Sequence, residues 1–351
     1  MDHRLQQLTQ WLALQLNDEM LTITPVSGDA SFRRYFRVEQ SVVLSTDKTV
    51  STHWIAMDAP PEKEDSMPFV AIARHWESQN IQVPHIKACD LTQGFMLLDD
   101  FGDELMLNTL SPPFEESIAT TIYEAALQSL IDIQQCSQPE NYTLPPYNTE
   151  LLSREMELFR EWLVSKKLGL NLTPNDHKRL DDAFQYLVNE ALRQPKVCVH
   201  RDYHSRNLMK LADQSIGVLD FQDAVIGPIT YDLVSLLRDC YIALPKSFVE
   251  QRLQSFYQAS KAAGLHSAEY IEFKQWFDLM GIQRHLKAAG IFARLSMRDG
   301  KHGYLNDIPR TVNYIADISA QYAPLNEFNE WLITTVIPAI ALMSATKEEK
   351  L

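Results

Sequence analysis

Three oxygen-bearing side chains in one stretch of this sequence could do chemistry together. The segment His200-Arg201-Asp202-Tyr203-His204-Ser205-Arg206-Asn207 has H-R-D-x-x-x-x-N spacing, and Asp220 follows Asn207 by thirteen residues, closing the apolar run Val218-Leu219. Phosphoryl transfer from a nucleotide needs these parts: one Asp to take the proton of an attacking hydroxyl, and an Asn with a second Asp to hold Mg²⁺ on the phosphates. Asp202 comes just after the apolar Val197-Cys198-Val199, where a strand would present it at a cleft, and is read as the base. Asn207 supplies a neutral oxygen and Asp220 a charged one, which suits an ion that takes few protein ligands and completes its shell with phosphate and water. His200 is read as a scaffold residue packing the loop. Taken singly, Asp202 reads as a turn residue and Asp220 as a strand-end cap; their joint spacing decides for catalysis.

Other constellations say less. His200-x-Asp202-x-His204 places potential metal ligands at alternate positions, as in a metal-dependent hydrolase, but the other eight histidines are scattered and form no H-x-H or H-x-x-x-H pair. Ser27-Gly28-Asp29-Ala30-Ser31-Phe32 lies between two expected strands, as a phosphate-covering loop would; an ordinary hairpin would look the same. No G-x-x-x-x-G-K-[ST] is present, which excludes a P-loop enzyme. Further on, Arg284, Lys287, Arg294 and Arg298 fall on one side of a helix at 3.6 residues per turn. Such a stripe suits an anionic group, a phosphate or a substrate carboxylate; a solvated face pairing with surface acids is the bland reading.

The elements that must position these residues follow from the apolar spacing. Leu5, Leu8, Leu12 and Leu16 predict an amphipathic helix over 3–17. The regions 23–38 and 53–57 read as strands around a turn, 69–76 as a helix ended by Val83-Pro84, and 94–98 as a buried strand running into Asp99-Asp100-Phe101-Gly102. Beyond residue 103 helices are expected over 115–135, 149–168, 176–193 and most of 229–343, with a strand-loop-strand around 197–221. A small β-rich N-terminal part (1–98) thus gives way, at a hinge over 99–103, to a larger and mainly helical part (104–351).

With 351 residues, 45% of them hydrophobic and 22% charged, the chain can bury a large core and is not disordered. A net charge of −14 argues against a nucleic-acid binder. Cys89, Cys136, Cys198 and Cys240 lie far apart with no C-x-x-C and are expected as reduced thiols. The N-terminus lacks a basic region followed by an apolar core, so no secretory signal is expected. The apolar stretch from Ile333 to Met343 is broken by Pro338 and is about half the ~20 residues of a membrane span. A cytoplasmic protein without membrane or nucleic-acid partners is expected.

On these residues the sequence resembles the aminoglycoside phosphotransferase and choline kinase branch of the protein-kinase-like fold. The markers are His200 to Met209, Gly217 to Ala224 and Gly227-Pro228-Ile229-Thr230-Tyr231-Asp232-Leu233; Gln283 to Lys287 and Gly290 to Leu295 are similar to the bacterial anomeric kinases of N-acetylmuramate and N-acetylglucosamine. The resemblance implies a bilobal α+β fold, Asp202 as catalytic base, Asn207 and Asp220 as Mg²⁺ ligands, and Asp232 as an acid bracing the catalytic loop. It implies ATP contacts from Ser27, Gly28, Ser31 and Phe32, with Leu97, Leu98 and Asp99 as the adenine hinge. Acceptor contacts are assigned to His204, Arg206, Asp223, Arg284, His285 and Arg294. The implied reaction carries the γ-phosphate of ATP to the C1 hydroxyl of a small amino sugar in peptidoglycan recycling, a product a nucleotidyltransferase would use next.

Two departures stand out. Protein kinases place a Lys on the third strand, paired with a Glu on the next helix; here that strand reads Ile55-Ala56-Met57-Asp58 and residues 69–76 contain no Glu. Arg34 or Arg37 is the expected substitute. Asp220-Phe221-Gln222 replaces D-F-G, so no regulated flip is carried over. An aminoglycoside kinase is the nearest rival, though a polycationic acceptor wants an acidic pocket. A protein kinase is disfavoured by the lack of an A-P-E segment. A non-catalytic binding protein of the same fold would have no need of a base and two metal ligands.

Overall fold

The computed structural model describes the whole chain except residues 1, 27–31, 46–47, 111–114 and 349–351. Ser27, Gly28 and Ser31, expected in a phosphate-covering loop, therefore lie outside the described residues. The chain forms two compact units: the first gathers Met1–Thr109, Cys136–Leu144 and Arg206–Ala224, the second Leu110–Gln135, Pro145–Ser205 and Val225–Leu351.

The first unit is built on a five-stranded antiparallel sheet in the order β1-β2-β3-β5-β4, from β1 (Thr22–Pro25), β2 (Arg34–Ser45), β3 (Lys48–Asp58), β4 (Ile86–Asp90) and β5 (Phe95–Asp99). Helix α1 (His3–Leu16) starts where the Asp2 carboxylate accepts the Leu5 N–H at 3.0 Å and stops at Asn17, in the left-handed region at φ 50°. Its leucine spacing puts Leu8, Trp11 and Leu12 on one face, against Phe36, Val38, Ala56, Phe95 and Leu97. These five alternate along their strands, so period 3.6 meets period 2 and a single core results. Each fully buried leucine contributes about 1.5–3 kcal/mol to it. Helix α2 (Met67–Ser78) is longer than the expected 69–76 and so includes Glu77, but this carboxylate pairs with His85 at 2.6 Å. Strand β4 had no periodic signal: Lys87, Ala88 and Cys89 give it no alternation of apolar and polar residues.

The second unit is helical: α4 (Glu116–Gln135), α5 (Thr149–Leu158), α6 (Pro174–Arg193), α7 (Tyr231–Leu237), α8 (Lys246–Ala262), α9 (Tyr270–Arg298), α10 (Ile308–Ser319), α11 (Asn326–Trp331) and α12 (Ile337–Glu348). The short α3 (Met106–Thr109) belongs to the first unit. Thr173 and Asp176 form a reciprocal capping box at the start of α6. The expected helix over 149–168 continues past Leu158 as a π-helix, Phe159–Lys167. That change of pitch coincides with a close helix crossing: a Cβ on Gly290 of α9 would sit 2.3 Å from the Leu158 carbonyl carbon. The expected strand-loop-strand resolves into two separate pairs, β6 (Lys196–Val199) with β9 (Val225–Pro228), and β7 (Leu208–Lys210) with β8 (Ile216–Val218). Among the described residues no helix is long and apolar enough to cross a membrane.

Candidate active site

Asp202 follows β6 on a loop pinned at every other residue. Arg201 turns the chain with φ at 77°, a conformation that costs a non-glycine residue energy and is kept only where the surroundings enforce it. The enforcing group is Asp232 in the first turn of α7, whose carboxylate accepts the backbone N–H of His200 at 2.6 Å and of Arg201 at 3.0 Å. Burial pushes the Asp232 carboxyl up to about 6, against the pull of His200 and these two amides. His200 is fully buried, and its Nδ1 accepts the Asp202 N–H at 3.2 Å, which leaves the ring proton on Nε2. The Tyr203 hydroxyl donates to the Ala126 carbonyl at 2.7 Å, and Asp239 accepts both the Ser205 N–H (3.0 Å) and its hydroxyl (2.6 Å). Asp202 and His204 both line a cavity.

That cavity, of about 90 Å³, is bounded by Asp202, His204, Tyr231, Arg284 and Lys287, with Ile291 and Phe292 as apolar wall. Burial alone would raise the Asp202 carboxyl, but Lys287, His204, Arg201 and His200 together hold it well below the ordinary carboxylate range. Burial brings His204 down to about 4, so its imidazole is neutral, and its Nδ1 has no hydrogen-bond partner. Beneath the cavity Glu155 gathers Arg201 (2.6 Å), Lys287 (3.4 Å), Gln283 (3.3 Å) and the Tyr147 hydroxyl, while Lys287 also donates to the Tyr231 hydroxyl at 3.0 Å. Buried ionic clusters of this kind fix geometry more than they add stability. A larger hollow of about 290 Å³, between Arg179, Asp182 and Glu327, holds no comparable set.

Of the basic stripe, Arg284 and Lys287 line this cavity, whereas Arg294, Arg298 and the neighbouring His285 do not. His285 points away from the cavity, its ring stacked on Tyr314 at 5.0 Å and its Nε2 on the Arg238 carbonyl at 2.9 Å. Arg294 is half-buried outside the cavity lining, and Arg298 is exposed and bonded to Asp299. The stripe at 284, 287, 294 and 298 runs on along α9 past the cavity, whose wall ends with positions 284, 287, 288 and 291.

In the first unit, hairpin registry explains the thirteen-residue spacing of Asn207 and Asp220. Leu208 pairs with Val218, and the Leu219 N–H donates to the Asn207 carbonyl at 2.9 Å, so the two side chains meet at the open end of β7–β8. The Asn207 amide lies 3.5 Å from one Asp220 oxygen and Gln222 donates to the other at 2.7 Å. Asp220 itself sits at φ 61°, anchored by Phe221, which stacks on Phe69 at 4.8 Å and touches Trp76. Arg206 and Asp223, given to the acceptor, are both exposed.

Leu97 and Leu98, expected at the adenine hinge, are both buried and registered to β3 on one side and, across a register shift, to β4 on the other; the Asp99 N–H goes to the His85 carbonyl at 3.1 Å. Phe32 is exposed, its N–H 3.3 Å from a Glu64 oxygen. Arg34 and Arg37 are likewise committed, Arg34 to Asp58 (2.5 Å) and Asp2, Arg37 to Asp100 (2.6 Å) and Asp103 (2.9 Å). The buried cation that sequence reasoning passed over is Arg33, paired with Glu64 at 3.2 Å; both bear electrostatically on the Tyr35 hydroxyl, as does Asp220.

The description of a Phosphotransferase enzyme family matches residues 22–268. The chain belongs to that family. This phosphotransferase is 42% identical over 340 residues to the N-acetylmuramate/N-acetylglucosamine kinase of Pseudomonas putida, spanning 94% of this chain and 96% of that one. It is 39% identical to the protein of the same name from Neisseria meningitidis serogroup B, over 94% and 95% of the two chains. Solved structures share its protein-kinase-like α+β fold: a choline kinase from Cryptosporidium parvum (TM-score 0.61, 13% identity, 94% and 100% coverage) and the ADP-bound aminoglycoside phosphotransferase APH(2'')-Ib (TM-score 0.59, 14% identity, 91% and 99% coverage). The α+β class read from the sequence is the one observed, and the enzyme transfers a phosphoryl group to a hydroxyl acceptor.

Proposed function

We propose that this phosphotransferase carries the γ-phosphate of ATP to the anomeric C1 hydroxyl of N-acetylmuramate, N-acetylglucosamine or both. The observation that carries the reading is the near full-length likeness, at 39–42% identity, to proteins with that name. The cavity beside Asp202 supports it, because Arg284 and Lys287 there would repel the polycationic acceptor of an aminoglycoside kinase.

In this reaction the C1 oxygen forms a bond to the γ-phosphorus as the bond to the leaving ADP oxygen breaks. Asp202, held ionised by the cations around it, accepts a hydrogen bond from the C1 hydroxyl, aims its lone pair and takes its proton. Because the transition state is loose, the proton moves late, and a carboxylate of low basicity suffices. Asn207 and Asp220 offer the neutral and charged oxygens that a hard divalent cation favours, and with only two such ligands the rest of its shell falls to phosphate and water. When bound, Mg²⁺ would offset charge on the β- and γ-phosphates. Arg33, braced by Glu64, is the cation of the first unit best suited to replace the missing strand Lys. Residues 99–103 as a hinge, the cytoplasm, peptidoglycan recycling and a following nucleotidyltransferase belong to the same proposal.

The test is incubation with Mg-ATP and a panel of sugars and aminoglycosides, followed by phosphorus NMR. An anomeric phosphate signal with the amino sugars is expected, falling by about 10²–10⁴ in rate for Asp202→Asn. ADP released only with kanamycin-like acceptors would replace this reading with the aminoglycoside one.

A further inference from the structure

We infer that Arg284 binds a carboxylate on the acceptor and thereby sets the preference of this site for carboxylated over neutral amino sugars. The inference rests on the sugar-kinase reading above and names the residue that would divide its two candidate substrates.

Three cations surround Asp202, and two of them are already matched. Arg201 is paired with Glu155 at 2.6 Å, and Lys287 has the same carboxylate at 3.4 Å and the Tyr231 hydroxyl at 3.0 Å. Arg284 is 5% exposed, yet its side chain makes one hydrogen bond, to the Cys240 sulfur at 3.5 Å, and among the described residues it has no ion pair. A thiol is a weak acceptor, and a guanidinium carries five N–H donors in a rigid fork. Asp239, the acid nearest in sequence to Cys240, is occupied by Ser205 and by the Tyr241 N–H at 2.8 Å. Leaving a buried charge in this condition is costly unless something from outside completes it.

What completes it enters through the cavity that Arg284 lines, and the cavity specifies the partner. A planar fork prefers a planar carboxylate, bound by two parallel bonds. Ala288, Ile291 and Phe292 form the adjoining wall, with Phe292 stacked on Tyr304 at 5.6 Å. An apolar wall beside a cation fits a carboxylate borne on a short alkyl group. His204 contributes a second open position, since it lines the same cavity and its buried Nδ1 has no hydrogen-bond partner. A neutral imidazole nitrogen there suits a hydroxyl of the sugar ring without competing for the carboxylate.

N-acetylmuramate and N-acetylglucosamine differ by the lactyl ether that carries the acid, so the pair isolates the interaction. Arg284→Gln removes the charge and Arg284→Lys retains it without the fork. For Arg284→Gln, KM for N-acetylmuramate should rise about 10- to 100-fold, the range of a charge-assisted hydrogen bond, while KM for N-acetylglucosamine moves about twofold or less. Arg284→Lys should recover part of the loss, and kcat should change little for either sugar. An equal fall in kcat for both acceptors would assign Arg284 to the transferred phosphoryl group and overturn the inference; so would unchanged constants. If the unaltered enzyme phosphorylates neither sugar, it is the sugar-kinase reading that fails. Calorimetric titration of the same two sugars into the unaltered protein and Arg284→Gln then decides Arg284 separately: equal loss for both sugars, or none, rejects it.

Discussion

A buried imidazole that stays neutral makes a folded chain sensitive to acid. Burial and the neighbouring Arg284 bring His285 down to about 3, and its Nε2 is engaged with the Arg238 carbonyl. In the unfolded chain a histidine takes its proton near 6.5. Between these values the unfolded state binds a proton that the folded state refuses, so stability falls as the pH drops from about 6.5 toward 3. His204 adds the same effect between about 6.5 and 4. His285→Gln keeps an N–H donor for the carbonyl and removes one titration. Its urea midpoint should therefore depend less on pH between 6.5 and 4.5, by up to about 1.4 kcal/mol of stability per pH unit. Parallel pH dependence of variant and parent would show that His285 is not the group responsible. This residue was read from the sequence as an acceptor contact, together with Arg284, on the resemblance of the segment Gln283 to Lys287. On a helix, however, adjacent positions face about 100° apart, and the neighbour of a ligand-facing residue is usually in the packing.

At the scale of elements, α9 carries the burden of the second unit. One face, at positions 284, 287, 288 and 291, walls the cavity, and another passes so close to the start of the π-helix that only glycine fits at 290. Gly290→Ala would press a methyl group into the Leu158–Phe159 backbone, which cannot yield as a flexible side chain can. Overpacking of this kind costs about 1–3 kcal/mol or more, and the shift would displace Arg284 and Lys287 from Asp202. Urea denaturation should show the loss, and amino-sugar phosphorylation should fall with it; a variant as stable as its parent would mean the crossing is looser than described. Little of this was legible beforehand. The long apolar spacing announced a helix, but which face met which neighbour depends on Glu155 and Tyr147, far away in the chain. Nothing local in the sequence marks Glu155 as the carboxylate on which Arg201 and Lys287 converge. Short-range patterns fared better: α1 and β5 follow from residues within a few turns or rungs of one another, whereas the strand-loop-strand expected around 197–221 became two separate pairs. Arg33 was passed over in favour of Arg34 and Arg37 because its burial, which sets it apart from them, shows only in the fold.

At the scale of the whole molecule, the proposed catalytic residues divide between the compact units, with Asn207 and Asp220 in the first and Asp202 in the second. The division gives the two kinds of variant different failures. Asp202 shares its surroundings with Lys287, Arg284 and His204. Asp202→Asn should thus bind Mg-ATP as the parent does while losing transfer. Asp220 shares its surroundings with Asn207 and Gln222, and Asp220→Asn removes the one formal charge of that pair. Nucleotide should still bind through its base and sugar, but the strengthening conferred by Mg²⁺ should shrink by about tenfold or more, the worth of a lost charge-assisted contact. Calorimetry of ATP with and without Mg²⁺ on both variants separates the cases. If Asp202→Asn instead erased the metal dependence and Asp220→Asn preserved it, the roles assigned to the two carboxylates would have to be exchanged, and the H-R-D-x-x-x-x-N reading would lose its base.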